Sequence, residues 1–160
     1  MKELPLTKGQ FALVDDSEFA WLSQWKWCCD HPERGLSETY AVRRVTVEGK
    51  RILLYMHRVI LGITNGAVDH VDRNGLNNQR HNLRPCTNSQ NQMNKTTRRF
   101  DRYKGVSFNR QIKRWVAYIN RDRKRLHLGC FDYSTDAAIA YNDAARKLHG
   151  EFAYLNIIPD

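Results

Sequence analysis

Asp69 and His70 are adjacent, and three amides, Asn82, Asn91 and Asn94, follow shortly after them. A carboxylate, an imidazole and neutral amide oxygens in one short stretch can hydrolyse a phosphodiester. A neutral imidazole takes the proton of the attacking water, since its ordinary pKa of roughly 6.5 lies near working pH. A hard divalent cation, Mg2+ or Mn2+, stabilises the charge growing on the phosphate and on the departing 3′ oxygen. Asp69 offers such an ion an anionic oxygen and Asn91 a neutral carbonyl, and Mg2+ keeps several waters, so one or two protein ligands suffice. Asp, His and Asn are also common loop residues that bond their own backbone in turns. Residue types alone leave both readings open.

The neighbouring elements decide whether these groups can meet. Val68-Asp69-His70-Val71 reads as a strand, Asn74-Gly75 as a turn, and Leu83-Arg84 as a short return strand. Thr87 with Gln90 three positions on is a capping box that opens a helix through about Lys95, on which Asn91 and Asn94 share a face. Adjacent strand residues point to opposite sides, so Asp69 and His70 serve one site only if the strand loses its regularity there. Upstream, Gly9 to Val14 reads as a strand, Phe19 to Trp27 as a helix-like stretch without a clean end, and Tyr40 to Val45 with Ile52 to Leu54 as a hairpin across Glu48-Gly49. Tyr55 to Leu61 reads as a short helix stopped by Gly62.

The motifs Met56-His57-Arg58, Val68-Asp69-His70, Asn77-Asn78, Asn82-Leu83-Arg84 and Ser89-Gln90-Asn91-Gln92-Met93-Asn94 together resemble the HNH homing endonucleases, particularly phage-encoded ones, over about residues 5–95. The resemblance implies a ββα-metal fold, a divalent metal and DNA strand cleavage. In that pattern His70 corresponds to the general base and Asp69 to a metal ligand. Asn82 corresponds to the middle asparagine that holds the loop and helps orient the base. The last motif position, often histidine, is Asn91 here, and Asn94 remains an alternative ligand. His57 reads as a structural histidine or a phosphate contact, His81 and His149 as surface residues, and Arg73, Arg80 and Arg84 as flanking cations.

Charge divides sharply along the chain. The formal net charge is +9, yet residues 95–127 hold twelve Lys/Arg against two Asp/Glu. So localised a positive field calls for a polyanion, and nucleic acid is the leading partner. This segment reads as three strands, Lys104 to Phe108, Arg114 to Asn120 and Arg125 to Cys130, followed by a helix from Ser134-Thr135 to Gly150. That helix has an alanine-rich face of Ala137, Ala140, Tyr141, Ala144, Ala145 and Leu148. Alternation separates Trp115, Ala117 and Ile119, which can pack under the helix, from Arg114, Val116, Tyr118 and Asn120. Arg110, Lys113, Arg114, Arg121, Arg123, Lys124 and Arg125 fall in or beside the two turns. A narrow sheet with cationic edges fits the roughly 12 Å major groove of B-DNA.

Tyr103-Lys104-Gly105-Val106, Trp115-Val116-Ala117, Leu128-Gly129-Cys130-Phe131, Asp136-Ala137-Ala138, Ala140-Tyr141, Ala144-Ala145 and Gly150 to Asn156 resemble the APETALA-type (ethylene-response-factor) DNA-binding domain. The resemblance implies a three-stranded antiparallel sheet backed by one helix, with the sheet in the major groove. The family's base-contacting positions fall on Lys104, Ser107, Asn109, Asn120, Arg125 and His127. Several of these replace the family's usual arginine or tryptophan, so its preferred target sequence does not carry over.

Other classes fall away. No unbroken apolar run exceeds that of Ile52–Met56, far short of the roughly 20 residues that span a bilayer. Residues 1–8 lack the apolar core of a secretory signal. Cys28 and Cys29 are adjacent, Cys86 and Cys130 stand apart, and without a C-x-x-C pair they read as reduced core thiols rather than zinc ligands. The expected protein is α+β, with a ββα-metal nuclease module over 1–95, a linker over 96–102, and a sheet-on-helix DNA-binding domain over 103–157. It is expected to be a cytoplasmic, monomeric, metal-dependent DNA endonuclease (in the host cell, if phage-encoded) with double-stranded DNA as partner and no small-molecule cofactor beyond the metal. The alternative is a DNA-binding regulator whose nuclease-like half is idle.

Overall fold

The computed structural model describes residues 1–30, 39–97, 103–122 and 124–159, and its contacts gather into two compact units, Met1–Asn88 and Ser89–Asp160. The division falls ahead of the boundary expected at residue 95. Most of the expected linker, residues 98–102, lies outside the described residues.

In the first unit, β1 (Lys2–Pro5) pairs antiparallel with β2 (Phe11–Val14), and α1 (Asp16–Leu22) follows. A three-stranded antiparallel sheet in the order β3 (Cys28–Asp30), β4 (Tyr40–Val47), β5 (Lys50–Tyr55) comes next. Glu48 and Gly49 both have positive φ, 49° and 75°, the turn form whose twist matches that of the flanking strands. Helix α2 (Met56–Leu61) ends at Gly62 in the left-handed region, whose N–H closes onto the carbonyls of Arg58 and Val59. Then β6 (Ala67–His70) and β7 (Leu83–Cys86) form an antiparallel hairpin. Leu4, Ala12, Val14, Leu22, Trp27, Ala41, Met56, Ile60, Val68 and Leu83 build one core, drawn from β1, β2, α1, β4, α2, β6, β7 and the segment after α1.

The helix-like stretch expected to run toward Trp27 stops at Leu22 instead. The Trp27 indole N–H donates to the Leu22 carbonyl at 3.0 Å, so the chain folds back on the helix end rather than prolonging it. Strands β1 and β3 were not expected. Each is three or four residues long and pairs with a partner that lies outside its own sequence pattern.

In the second unit α3 (Asn88–Asn94), of which Ser89 onward belongs here, precedes the antiparallel sheet β8 (Val106–Asn109), β9 (Arg114–Arg121) and β10 (Lys124–Phe131), with β9 central. Helix α4 (Ser134–His149) lies on this sheet. Ala137, Ala138 and Ala145 are completely buried, and such small side chains let helix and sheet approach closely. Gly105 has a φ of +73°, and a Cβ there would collide with the Tyr141 ring and the Tyr118 carbonyl. Both backbone angle and space demand glycine at that point.

Candidate functional site

The β6–β7 hairpin places Asp69 opposite Arg84 and His70 opposite Leu83. Asp69 and His70 are each only 4% exposed. Alternation would aim them at opposite faces in a continuing strand, but His70 is the last residue of β6, where that regularity ends. On the Asp69 side, Arg84 donates from Nε at 2.8 Å and from Nη2 at 2.6 Å to the same oxygen, Oδ2. The expected metal ligand is therefore also one half of a buried ion pair.

His70, the last residue of β6, enters a cluster of rings. His57 stands edge-on to it, with centroids 5.1 Å apart, and Tyr40 lies 5.8 Å away. Tyr40 and Tyr55 pack on His57 in turn, at 5.5 and 5.4 Å. Burial, reinforced by the charges of His70 and Arg58, pushes the His57 pKa down to about 3. His57 is thus a neutral, interior histidine, in line with the structural role among the two readings of it. His149, expected at the surface, is buried as well, with Nε2 at 3.0 Å from the Asn120 carbonyl. Its place on the inward side of the last turn of α4 explains this.

Beyond His70 the strand turns at once. The His70 carbonyl accepts from the Arg73 N–H at 2.9 Å, and the Val71 N–H donates to the Asn82 carbonyl at 2.9 Å. Asn82 stitches this loop from within. Its Nδ2 donates to Asp72 Oδ1 at 2.9 Å and to the Asn77 carbonyl at 2.8 Å, while its Oδ1 accepts from the Asp72 N–H at 2.9 Å. Burial works to raise the Asp72 pKa, but the Asn74 N–H and the Asn77 and Asn82 amides outweigh it and, with the charge of His70, hold it low. An outer strap fixes the far end of the loop. Asp15 accepts from the Arg80 N–H at 2.8 Å, Arg80 Nε meets Glu18 Oε1 at 2.5 Å, and Arg80 Nη2 reaches the Ile60 carbonyl at 2.9 Å. Asp15, Glu18 and Asp72 were missed as contributors because their partners lie on other elements or are backbone groups.

Asn91 is half-buried and Asn94 is 4% exposed, both on α3. The donors offered for a cation are a buried carboxylate and an amide carbonyl, both hard oxygens of the kind Mg2+ and Mn2+ accept. Among the described residues no three His, Cys, Asp or Glu side chains form a cage. By donor type, each of these oxygens suits an ion that retains much of its water.

The second unit presents another surface. The face of β8–β9–β10 turned away from α4 carries Ser107, Asn109, Arg114, Val116, Tyr118 and Asn120 with Arg125 and His127 from β10. Several of them line an open cleft of about 490 Å³. The Arg125 guanidinium lies 3.4 Å from the Tyr118 ring centroid, a stacked cation. Arg114 is paired with Asp132 at 3.0 Å and Arg121 with Asp122 at 3.5 Å. Arg110 and Lys113 are exposed at the β8–β9 turn. Arg123 lies outside the described residues.

Lys104 is placed elsewhere. Its ammonium donates to the carbonyls of Gln92 at 3.2 Å, Met93 at 2.6 Å and Lys95 at 2.6 Å, at the C-terminal end of α3. Its main chain is bracketed by Asn156, which accepts from the Lys104 N–H at 2.7 Å and donates to its carbonyl at 3.1 Å. Asn156 is held in turn by the Asn142 side chain, whose Oδ1 accepts from the Asn156 N–H at 2.7 Å and whose Nδ2 donates to the Asn156 carbonyl at 2.9 Å.

Known proteins are similar to this chain over one segment and, in one case, over most of its length. Residues 101–151 match the AP2 domain. Dehydration-responsive element-binding protein 2D of Arabidopsis thaliana is 51% identical over 57 residues, 34% of this chain and 27% of that protein. Dehydration-responsive element-binding protein 2E of Oryza sativa subsp. japonica is 46% identical over 57 residues, 34% of this chain and 18% of that protein. The chain thus spans about a quarter or less of the length of these plant relatives. A viral protein, the uncharacterized HNH endonuclease L560 of Acanthamoeba polyphaga mimivirus, is 31% identical over 160 aligned positions, 94% of this chain and 77% of that protein. No solved structure gives a significant match.

Proposed function

The chain belongs to the family of the mimivirus HNH endonuclease and carries an AP2 domain, and from that premise we propose that it is a metal-dependent DNA endonuclease directed to its site by the AP2 sheet. The observation that carries the reading is the buried Asp69-His70 pair at the end of β6, followed by a loop that Asn82 holds closed. On this reading β6, β7 and α3 would supply the two strands and the helix of a ββα-metal module.

His70 would accept the proton of the attacking water. The ring packing of His57 and Tyr40 limits the orientations open to its imidazole. Asn82 secures the main chain directly after His70 through the Val71 N–H. Asp69, with Asn91 or alternatively Asn94, would hold Mg2+ or Mn2+, which when bound stabilises charge on the phosphate and the leaving oxygen. Arg84, on Asp69, offsets the carboxylate's charge and steadies its position. In the AP2 unit, Arg125 stacked on Tyr118, with Ser107, Asn109, Asn120 and His127 beside it, would meet duplex DNA, raising its local concentration at the nuclease site.

A second reading, a non-catalytic DNA-binding regulator, draws its support from the same Asp69–Arg84 pair, which occupies the carboxylate oxygen Oδ2. Supercoiled plasmid incubated with Mg2+ separates the two. Nicking that vanishes in His70→Ala and on chelation supports the nuclease, whereas tight binding without cleavage by the unaltered chain supports the regulator.

A further inference from the structure

In the AP2 unit one basic residue directs its charge at the protein's own main chain. A lysine ammonium has three N–H donors, and at Lys104 three main-chain carbonyls, those of Gln92, Met93 and Lys95, accept them. These are the carbonyls that the end of a helix leaves without an internal partner. A cation there also complements the negative end of the helix dipole. Two further contacts fix the same junction. The Tyr154 N–H donates to the Met93 carbonyl at 3.3 Å, and the Tyr154 ring lies 5.3 Å from the Lys104 ammonium. The Asn156 bracket holds the Lys104 main chain rigidly at the start of the sheet.

We propose that Lys104 is a positioning residue, whose ammonium fastens the end of α3 to the AP2 sheet and thereby fixes the helix that carries Asn91 and Asn94. The DNA-binding sheet and the helix of the proposed metal ligand then move as one body. The link to metal rests on the nuclease reading, while the fastening of α3 does not. It reverses the DNA-contacting role that the domain's sequence pattern implies for this position.

The test compares the full chain with Lys104→Met, which keeps the aliphatic stem, and Lys104→Arg, which keeps the charge. Hydrogen exchange over residues 89–95 reads the helix directly, with β9 amides as the internal reference for a folded unit. In Lys104→Met, exchange in α3 is expected to quicken about tenfold with β9 unchanged. The Mg2+ concentration for half-maximal nicking is expected to rise about fivefold, and duplex affinity in EDTA with its salt slope is expected to stay as in the unaltered chain. Lys104→Arg is expected to restore most of the protection. Unchanged exchange in α3 overturns the proposal. So does a salt slope reduced by about one phosphate contact, which makes Lys104 a DNA ligand after all. If the unaltered chain never nicks DNA, the nuclease reading fails alone, and exchange and binding still decide the role of Lys104.

Discussion

Arg84 stands directly across the β6–β7 hairpin from Asp69 and directs two N–H groups at one carboxylate oxygen, in a position where both residues are largely shielded from water. Two buried charges in this geometry support one another, and either alone is costly. Arg84→Gln is expected to destabilise the protein by about 3 kcal/mol, because it strands the Asp69 carboxylate. Asp69→Asn combined with Arg84→Gln should cost clearly less than the two single changes added together. Urea denaturation of the three variants checks this, and simple additivity would refute the coupling.

The His57 ring sets a pH dependence. Its folded-state pKa of about 3 lies below the ordinary 6.5. As the pH falls through 6.5 the unfolded chain therefore binds a proton that the native chain refuses. Stability from this group is complete above pH 6.5 and declines down to about pH 3, by about 1.4 kcal/mol per pH unit across most of that window. His57→Phe keeps a ring in the cluster and should flatten the decline. Urea midpoints at pH 7.5 and 5 give the measurement.

Asn82 connects the turn after His70 to Asp72 and Asn77 through side-chain bonds that a methyl group cannot replace. Asn82→Ala should cost about 2 kcal/mol and open residues 72–77 to proteolysis, with strand pairing elsewhere retained. Limited proteolysis with mass mapping of the cuts tests it. Cleavage confined to other segments would count against the role given to this amide.

On the AP2 sheet, Tyr118 supplies a platform for Arg125. Tyr118→Ala should weaken duplex binding about fivefold, and Arg125→Gln should lower the slope of log affinity against log salt by about one. Fluorescence anisotropy at several salt concentrations reads both. An undiminished slope in Arg125→Gln would remove this guanidinium from the DNA contacts.

Sequence pattern was most informative where local periodicity and burial coincide. In β9 the alternation of Trp115, Ala117 and Ile119 with Val116, Tyr118 and Asn120 separates the helix side from the open side as the pleat requires, and the alanine face of α4 lies where its spacing put it. Gly62 ends α2 for the same reason, since a left-handed backbone angle is written into the residue itself. What the pattern does not carry is pairing at a distance. The three residues of β3 form a strand only because β4 lies beside them. Lys104 looks like its basic neighbours until the end of α3 is brought to it. At the candidate site, Asp69, His70 and Asn82 were recognisable by type and spacing, yet Arg84 was read as a flanking cation because its partner stands across the hairpin rather than next to it in the chain.

The reciprocal amides of Asn142 and Asn156 bear on how this DNA-binding unit can be handled. The matched stretch closes at residue 151, and a fragment trimmed to that limit discards Asn156. Asn142 is then left inside α4 with its donor and acceptor orphaned, and the amide bracket on the Lys104 main chain goes with it. The packed unit extends past its family signature, because Asn156 latches the main chain just ahead of β8.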